Sequence, residues 1–169
     1  VILKYSAIIL TSGMFNSRNS KTAFGLVMHS EKYRILAVID QNYAGQDAGE
    51  IVIGKKLNIP IYASIKVFLR EQKSKLNIAA EKSARGLHAI IGVATSGGVI
   101  PNELRQELID ALSRGMHIVS GLHHYLGDDM ELVQTAKKFQ AELIDIRKPK
   151  QAKENAFWTG EIRNVRAPR

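Results

Sequence analysis

The segment from Ser120 to Asp129 holds the densest group of chemically reactive side chains in the sequence, including the adjacent histidines His123 and His124. A histidine can accept or donate a proton near neutral pH, and a nearby carboxylate can orient its ring. We therefore take His123 as the candidate catalytic base, and Ser120 and Gly121 as candidate ligand-binding residues. No metal site is expected, because adjacent residues of a strand point in opposite directions.

Residues 13–22 form a second candidate site, a polar loop that follows an apolar run and leads into a helical segment. Its last two residues, Lys21 and Thr22, have the order found at the end of a Walker A loop, in which Lys meets phosphate and Thr meets magnesium. The two glycines that this loop requires would fall on Phe15 and Ser20. A Cβ at both positions would crowd the phosphate, so we exclude an ATPase loop.

A general anion site remains at the same loop, because backbone N–H groups and a helix N-terminus attract phosphate and carboxylate groups. Its candidate residues are Gly13, Arg18, Lys21 and Thr22. The alternative is that Arg18 and Lys21 are solvated loop charges.

Two further segments end in residues that suit ligand binding. Asp40 closes an apolar run, where a dinucleotide-binding fold places the acid that holds a ribose, although it would also serve as a turn cap. Ser96, Gly97 and Gly98 form a loop whose paired glycines allow close approach of a ligand, or simply a flexible turn. The G-x-G-x-x-G fingerprint of dinucleotide-binding proteins is absent.

Short apolar runs alternate with segments of helical spacing along the chain. Strands are expected over residues 5–11, 35–39, 60–63, 88–94, 117–120 and 142–146. Helices are expected over residues 21–29, 65–76, 101–114 and 129–140, with Ser20, Ser64 and either Asp128 or Asp129 as candidate N-caps.

Continuous apolar strands interleaved with helices favour a sheet that is buried on both faces. The pattern predicts an α/β fold, namely a Rossmann-like three-layer sandwich with a mainly parallel sheet. In such sheets ligands bind at the carboxyl ends of the strands. The candidate residues named above follow predicted strands, so we expect them to meet at that edge.

The charge distribution divides the chain. The 169 residues carry a formal charge of +8, with 24 Lys and Arg against 16 Asp and Glu. Residues 147–169 contain seven basic and two acidic residues, which places +5 there and leaves +3 for residues 1–146. We therefore interpret residues 1–146 as one domain and residues 147–169 as a basic linker or arm.

Composition excludes several classes of protein. The chain has no cysteine, so a disulfide scaffold and a thiol nucleophile are excluded. No apolar run approaches the ~20 residues that a membrane span needs. No helix-turn-helix, RNP or zinc pattern accompanies the basic residues, so nucleic-acid binding is not expected. We expect a cytoplasmic protein that forms a homo-oligomer and binds a small anionic ligand.

Several motifs together resemble a conserved bacterial and archaeal family, long catalogued as a domain of unknown function, that includes a D-glutamate N-acetyltransferase. They span roughly residues 5–149 and occur in this order: Ala7–Leu10 with Lys21–Leu26, Ala37–Asp40 with Ala44–Glu50, Gly92–Ala94 with Gly97, Gly98 and Pro101, and Ser120–His123 with Leu126 and Asp129. No single motif suffices, but the set is specific.

The resemblance implies a protein of two parts, a Rossmann-like amino-terminal half and a P-loop-type carboxyl-terminal half. This chain corresponds to the first half, and residues 147–169 would lead towards the second. The implied function is acetylation of an acidic amino acid such as D-glutamate, with acetyl-CoA or a nucleotide bound by the full-length protein. The present chain would then be inactive alone. Alternatives are a non-catalytic nucleotide-binding or oligomerisation module, and an NAD(P)-dependent oxidoreductase or epimerase.

Within that function each candidate residue has an expected role. Arg18, Lys21 and the loop amides would hold a phosphate or a substrate carboxylate. Asp40 and Asp47 would contact sugar or ammonium groups. His123 would deprotonate the attacking amine.

Overall fold

The computed structural model describes residues 5–76, 86–95, 97 and 99–149. Strands and helices alternate along this part of the chain. The strands are β1 (Tyr5–Leu10), β2 (Tyr33–Ile39), β3 (Ile61–Tyr62), β4 (His88–Ile91), β5 (His117–Ser120) and β6 (Leu143–Asp145). The α-helices are α1 (Lys21–Met28), α2 (Ala48–Ile53), α3 (Ile65–Leu76), α4 (Asn102–Ser113) and α5 (Met130–Lys138), and a 3-10 turn covers Leu126–Asp128.

The six strands form one sheet in the order β3-β2-β1-β4-β5-β6, and every neighbouring pair is parallel. The chain builds outward from β1 to β3, crosses back to β4 beside β1, and then builds in the other direction. The order therefore switches between β1 and β4, which is where parallel α/β sheets bind ligands. The predicted Rossmann-like parallel sheet is confirmed.

Helices cover both faces of the sheet and make three layers. Buried residues of α3, α4 and α5 pack with one face, and buried residues of α1 and α2 pack with the other. Strand β1 lies between the two layers, and its residues from Ala7 to Leu10 are all fully buried. Such burial explains why the strand is an unbroken apolar run rather than an alternating one.

The N-caps follow the sequence prediction at two helices and depart from it at a third. Asp129 accepts hydrogen bonds from the N–H groups of Glu131 and Leu132 at the start of α5. Ser64 Oγ accepts from the N–H of Val67 in α3, at 3.3 Å. The expected cap at Ser20 is wrong, because its hydroxyl donates to the carbonyl of Met14 and makes no capping bond.

Helix α2 lies in a segment where the sequence predicted neither helix nor strand. Asp47 caps its first turn and Gly54 ends it in the left-handed conformation, at φ 67°. No helix in the described part of the chain is long and apolar enough to cross a membrane.

Candidate functional site

A tight turn follows β1 at the switch in strand order. The N–H of Met14 donates to the carbonyl of Thr11 at 2.9 Å, and the two central residues, Ser12 and Gly13, have φ angles of 46° and 79°. Two positive φ angles are typical of a type I′ turn. Gly13 adopts this conformation without strain, but a serine does so at an energetic cost.

The strained serine contacts a carboxylate on a distant helix. Ser12 Oγ donates a hydrogen bond to Glu107 Oε2 at 2.9 Å, across 95 positions of sequence. Glu107 lies in the second turn of α4 and is partly buried. The sequence pattern did not single out Glu107 as a site residue.

The surroundings of Glu107 alter its acidity. Burial raises the pKa of Glu107 to about 7, and the charges of Asp40 and Asp110 act in the same direction, whereas the Ser12 hydrogen bond opposes the rise. A carboxyl group with this pKa exchanges its proton readily at neutral pH, as acid–base catalysis requires. The site at the end of β1 therefore contains a group suited to proton transfer.

Asp40 is fully buried beneath the same turn. Its Oδ2 accepts hydrogen bonds from Thr11 Oγ1 at 2.7 Å and from the N–H of Phe15 at 2.9 Å. Its Oδ1 accepts from the N–H of Asn42 at 2.9 Å. Asp40 thus ties the loops after β1 and β2 together, and a direct contact with sugar or ammonium groups, as predicted from the sequence, would require exchange of these bonds.

The first turn of α1 and the loop before it are both joined to the segment after β4. The N–H of Ala23 donates to the carbonyl of Gly92 at 2.9 Å, and the N–H of Ala94 donates to the carbonyl of Asn19 at 2.8 Å. A Cβ at Gly92 would lie 2.4 Å from Ile9 Cγ2, so only glycine permits this approach. A dinucleotide placed here in the usual way would have to separate these backbone segments.

The predicted anion loop keeps its charges at the surface. Arg18, Lys21 and Thr22 are all exposed. Gly13 is half-buried, and a Cβ there would lie 2.7 Å from Gln41 Nε2 and 2.9 Å from Asn42 Nδ2, at the ends of two exposed side chains. The loop therefore offers two exposed cations at its rim, and binding of an anion by them stays a prediction.

Asp47 lies away from this turn and organises the connection between α2 and β3. Its carboxylate accepts backbone hydrogen bonds from the residues at positions 49, 50, 57 and 59. Burial by itself would raise the pKa of Asp47, but these donors hold the pKa below its ordinary value. The arrangement gives Asp47 a structural role, and its predicted contact with a ligand stays untested.

His124 of the histidine segment lines a cavity at the carboxyl edge of the sheet. This cavity of about 300 Å³ is lined by residues of the loops after β4 and β5 and of α4: Gly97, Val99, Ile100, Arg105, His124 and Asp129. His123, the predicted base, is exposed and is not among these residues. Ser120 Oγ accepts from the N–H of Leu122 at 3.2 Å, and the Gly121 carbonyl accepts from Arg147 Nε.

An ion-pair network forms one wall of this cavity. The Arg105 guanidinium bonds to both oxygens of Asp129 and, at 2.6 Å, to Glu131 Oε2. The hydrogen bond from Arg105 lowers the pKa of Asp129 to about 2. Because the guanidinium is already shared by two carboxylates, this wall is not an open anion site.

Ser96, Gly98 and residues 150–169 lie outside the described residues. Among the residues that are described, no group of three or more His, Asp or Glu side chains could hold a metal ion.

Comparison with known proteins identifies the family. Residues 41–149 match the family described as "Domain of unknown function (DUF1611_N) Rossmann-like domain". The chain belongs to this family. A crystal structure of a DUF1611 family protein from Anabaena variabilis is similar over 96% of this chain and 42% of that one, with 30% identity and a TM-score of 0.70.

Two curated relatives carry an enzymatic name. A D-glutamate N-acetyltransferase of a Pseudoalteromonas species is 40% identical over 72 residues, which is 43% of this chain and 20% of that protein. A D-glutamate N-acetyltransferase of Tritonibacter scottomollicae is 34% identical over 76 residues, which is 45% of this chain and 23% of that protein. The matched segments therefore span about a fifth of these relatives.

Proposed function

We propose that this DUF1611_N domain is the amino-terminal part of an N-acyltransferase that acetylates an acidic amino acid of the D-glutamate type, with acetyl-CoA as donor. The observation that carries the proposal is the 40% identity over 72 residues with a D-glutamate N-acetyltransferase. The function of the whole protein is inferred from a relative that this match covers only in part.

The carboxyl edge of the sheet supplies groups that such a reaction needs. An acidic amino acid presents carboxylates, and after the central strand the exposed Arg18 lies on the loop while the exposed Lys21 begins α1. The attacking nitrogen must lose a proton before it can act as a nucleophile, and Glu107 has a pKa suited to accepting one. These features support binding of the amino acid by this domain.

The acyl donor is assigned to another part of the protein. The backbone bonds from Ala23 to Gly92 and from Ala94 to Asn19 occupy the crevice in which a Rossmann-like domain receives a nucleotide. We therefore propose that acetyl-CoA, or a nucleotide, is bound by a carboxyl-terminal part of the P-loop type, and that this chain alone does not turn over.

The same closed crevice also favours a second candidate, a non-catalytic module that supports assembly of the protein. It offers no support for an NAD(P)-dependent oxidoreductase. A homo-oligomer and a cytoplasmic location stay predictions.

Ligand binding to this chain separates the candidates. We would measure thermal shifts with D-glutamate, L-glutamate, acetyl-CoA, NAD(P) and ATP, because a ligand at 100 times its Kd stabilises the folded state by ~2.7 kcal/mol. A shift with D-glutamate is expected. A shift with NAD(P) alone would contradict the acyltransferase, and no shift with any of these ligands would favour the assembly module.

A matched pair of charge variants locates the site. Replacing Arg18 and Lys21 together by Ala is expected to remove the D-glutamate shift, since it removes the two exposed cations of the loop. Replacing Lys55 and Lys56 by Ala removes equal charge from two exposed residues of the α2–β3 connection and is the control. Equal loss in both double variants would show an effect of net charge rather than a site.

A further inference from the structure

The contact between Ser12 and Glu107 combines two features that structural roles alone leave unexplained. Ser12 has a φ of 46°, a conformation that glycine or asparagine adopts at lower cost. Its hydroxyl bonds at 2.9 Å to a carboxylate that is itself partly buried. Backbone strain of this kind persists where the surrounding structure holds it, and it is concentrated at functional sites.

The pair lies at the carboxyl edge of the sheet, beside the switch in strand order. Ser12 follows β1, which lies beside β4 at the switch in strand order. Glu107 reaches this point from α4, on the face of the sheet opposite α1. The carboxylate therefore lies beside the end of the central strand, where a ligand bound at the carboxyl edge would be within reach.

The groups that affect Glu107 are not those of an ordinary ion pair. The residues that affect it are a hydroxyl, Ser12, and two further carboxylates, Asp40 and Asp110. A partly buried carboxylate set among acids carries a cost when ionised, which the cation of an ammonium ligand would relieve.

We propose that Glu107 is the proton acceptor for the amino group of the substrate, and that Ser12 is the positioning residue that holds its carboxylate. This inference rests on the proposed function, and it replaces His123 with Glu107 as the group that activates the amine.

Proton transfer to Glu107 precedes attack on the acyl donor. One N–H bond of the substrate ammonium breaks, and its proton passes to a Glu107 oxygen. The free amine then attacks the carbonyl carbon of an acyl thioester, so that a C–N bond forms and the C–S bond breaks. The thiolate leaves with the electron pair and takes up the second proton lost by nitrogen, and Glu107 returns its proton to solvent.

The first test uses acetyl transfer to D-glutamate by this domain joined to the carboxyl-terminal part proposed above. Glu107→Gln keeps the shape of the side chain and removes the base, so kcat/KM is expected to fall by about 100-fold or more. Glu103→Gln is the control, because Glu103 is exposed in the first turn of the same helix. Equal activity of the two variants would overturn the proposal.

A pH profile tests the part played by Ser12. The wild-type rate is expected to fall as the pH drops below about 7, where Glu107 becomes protonated. Ser12→Gly removes a hydrogen bond that favours the ionised form, and glycine suits the backbone conformation. The acid limb is therefore expected to move to higher pH. An unmoved limb would show that Ser12 acts only in the turn.

A readout on this chain alone separates the proposal from the proposed function. If the wild-type protein acetylates no amino acid, the proposed function fails. Titration of the Glu107 carboxyl carbon by NMR still decides the inference, since an inflection near pH 7 that falls when D-glutamate binds supports it. An inflection at the ordinary glutamate value of 4.5, or one that D-glutamate leaves unchanged, would overturn it.

Discussion

The N–H of Ala23 in α1 donates to the carbonyl of Gly92, which follows β4, at 2.9 Å. In a dinucleotide-binding sheet the N-terminus of the first helix faces the pyrophosphate. Here one of its amide groups is bonded to the chain itself, and the glycine that allows this contact lies beyond β4 rather than in the first loop. This domain thus keeps the Rossmann-like strand order, while two backbone hydrogen bonds bridge its central crevice.

Replacing Gly92 by Ala tests whether this contact holds α1 against the sheet. The new Cβ would lie 2.4 Å from Ile9 Cγ2 and 2.8 Å from Ala23 Cβ. We expect the free energy of unfolding to fall by roughly 1–3 kcal/mol, as for other overpacked sites. Urea denaturation measures the change.

The matched control is Gly25, which lies in α1. A Cβ at Gly25 meets nothing within 4 Å, so Gly25→Ala is expected to raise the free energy of unfolding by ~0.5–1 kcal/mol. If the two substitutions changed stability by the same amount, the close approach at Gly92 would not be what limits that position.

Removing the side chain of Asp47 is expected to cause a large loss of stability. Asp47→Ala leaves a cluster of backbone N–H groups without their carboxylate, and a lost cap together with unsatisfied donors costs ~2–3 kcal/mol. Thermal unfolding measures the loss. The bonded carboxylate has a pKa below 3.8, so its contribution is present above that pH and is lost as the pH falls further.

Asp128→Ala provides the comparison for Asp47. Asp128 is an exposed acid whose partner, Lys148, lies 3.5 Å away, and such surface pairs contribute ~0–1 kcal/mol. A loss at Asp47 no larger than the loss at Asp128 would contradict the structural role that its hydrogen bonds indicate.

The sequence predicted the sheet well because buried parallel strands are continuous apolar runs, and Ala7–Leu10 is one. It missed α2, whose sequence Ala48–Ile53 contains a glycine and three β-branched residues that disfavour a helix. This helix depends on Asp47 at its start and on Gly54 at its end. Both are tertiary or turn effects that periodicity does not reveal.

The candidate site divides in the same way. Gly13 and Asp40 were predicted for the site because they follow strands, and a parallel sheet brings such positions to one edge. Glu107 was missed because charges on an amphipathic helix resemble a solvated face, and only packing of α4 turns this one towards Ser12. The positive φ of Ser12 has no signature in the residue type, so the contact could not be predicted from the sequence.

The buried ring of His88 is expected to make the stability of the protein depend on pH. It is 7% exposed and packs against the rings of Tyr5, Tyr33 and His117. Burial lowers its pKa below 6.5, and the charges of His117 and Lys32 lower it further, while Glu142 opposes them. The unfolded chain therefore takes up a proton at a higher pH than the folded chain, and stability is lost as the pH falls below about 6.5.

Replacing this ring by an apolar one should remove that dependence. His88→Phe keeps an aromatic side chain, so we expect its melting temperature to fall less than that of the wild type between pH 7.5 and about 5. His29→Gln, which alters an exposed histidine, is the control. A variant that loses as much stability in acid as the wild type would assign the acid sensitivity to other groups.

Glu107 is expected to have the opposite effect, because its contribution to stability falls as the pH rises. Its pKa is raised from 4.5 to about 7, so the folded chain binds this proton more tightly than the unfolded chain does. Stability from this source is complete below pH 4.5 and is lost as the pH rises towards 7. At pH 8 the free energy of unfolding of Glu107→Gln is therefore expected to exceed that of the wild type by ~1–3 kcal/mol, and its melting temperature to be higher. At pH 4 no such gain is expected. Glu103→Gln should show neither effect. If Glu107→Gln were less stable than the wild type at pH 8, the carboxylate would serve to stabilise the fold. A gain in stability together with a loss of turnover is instead typical of residues at functional sites, where activity is maintained at the expense of stability.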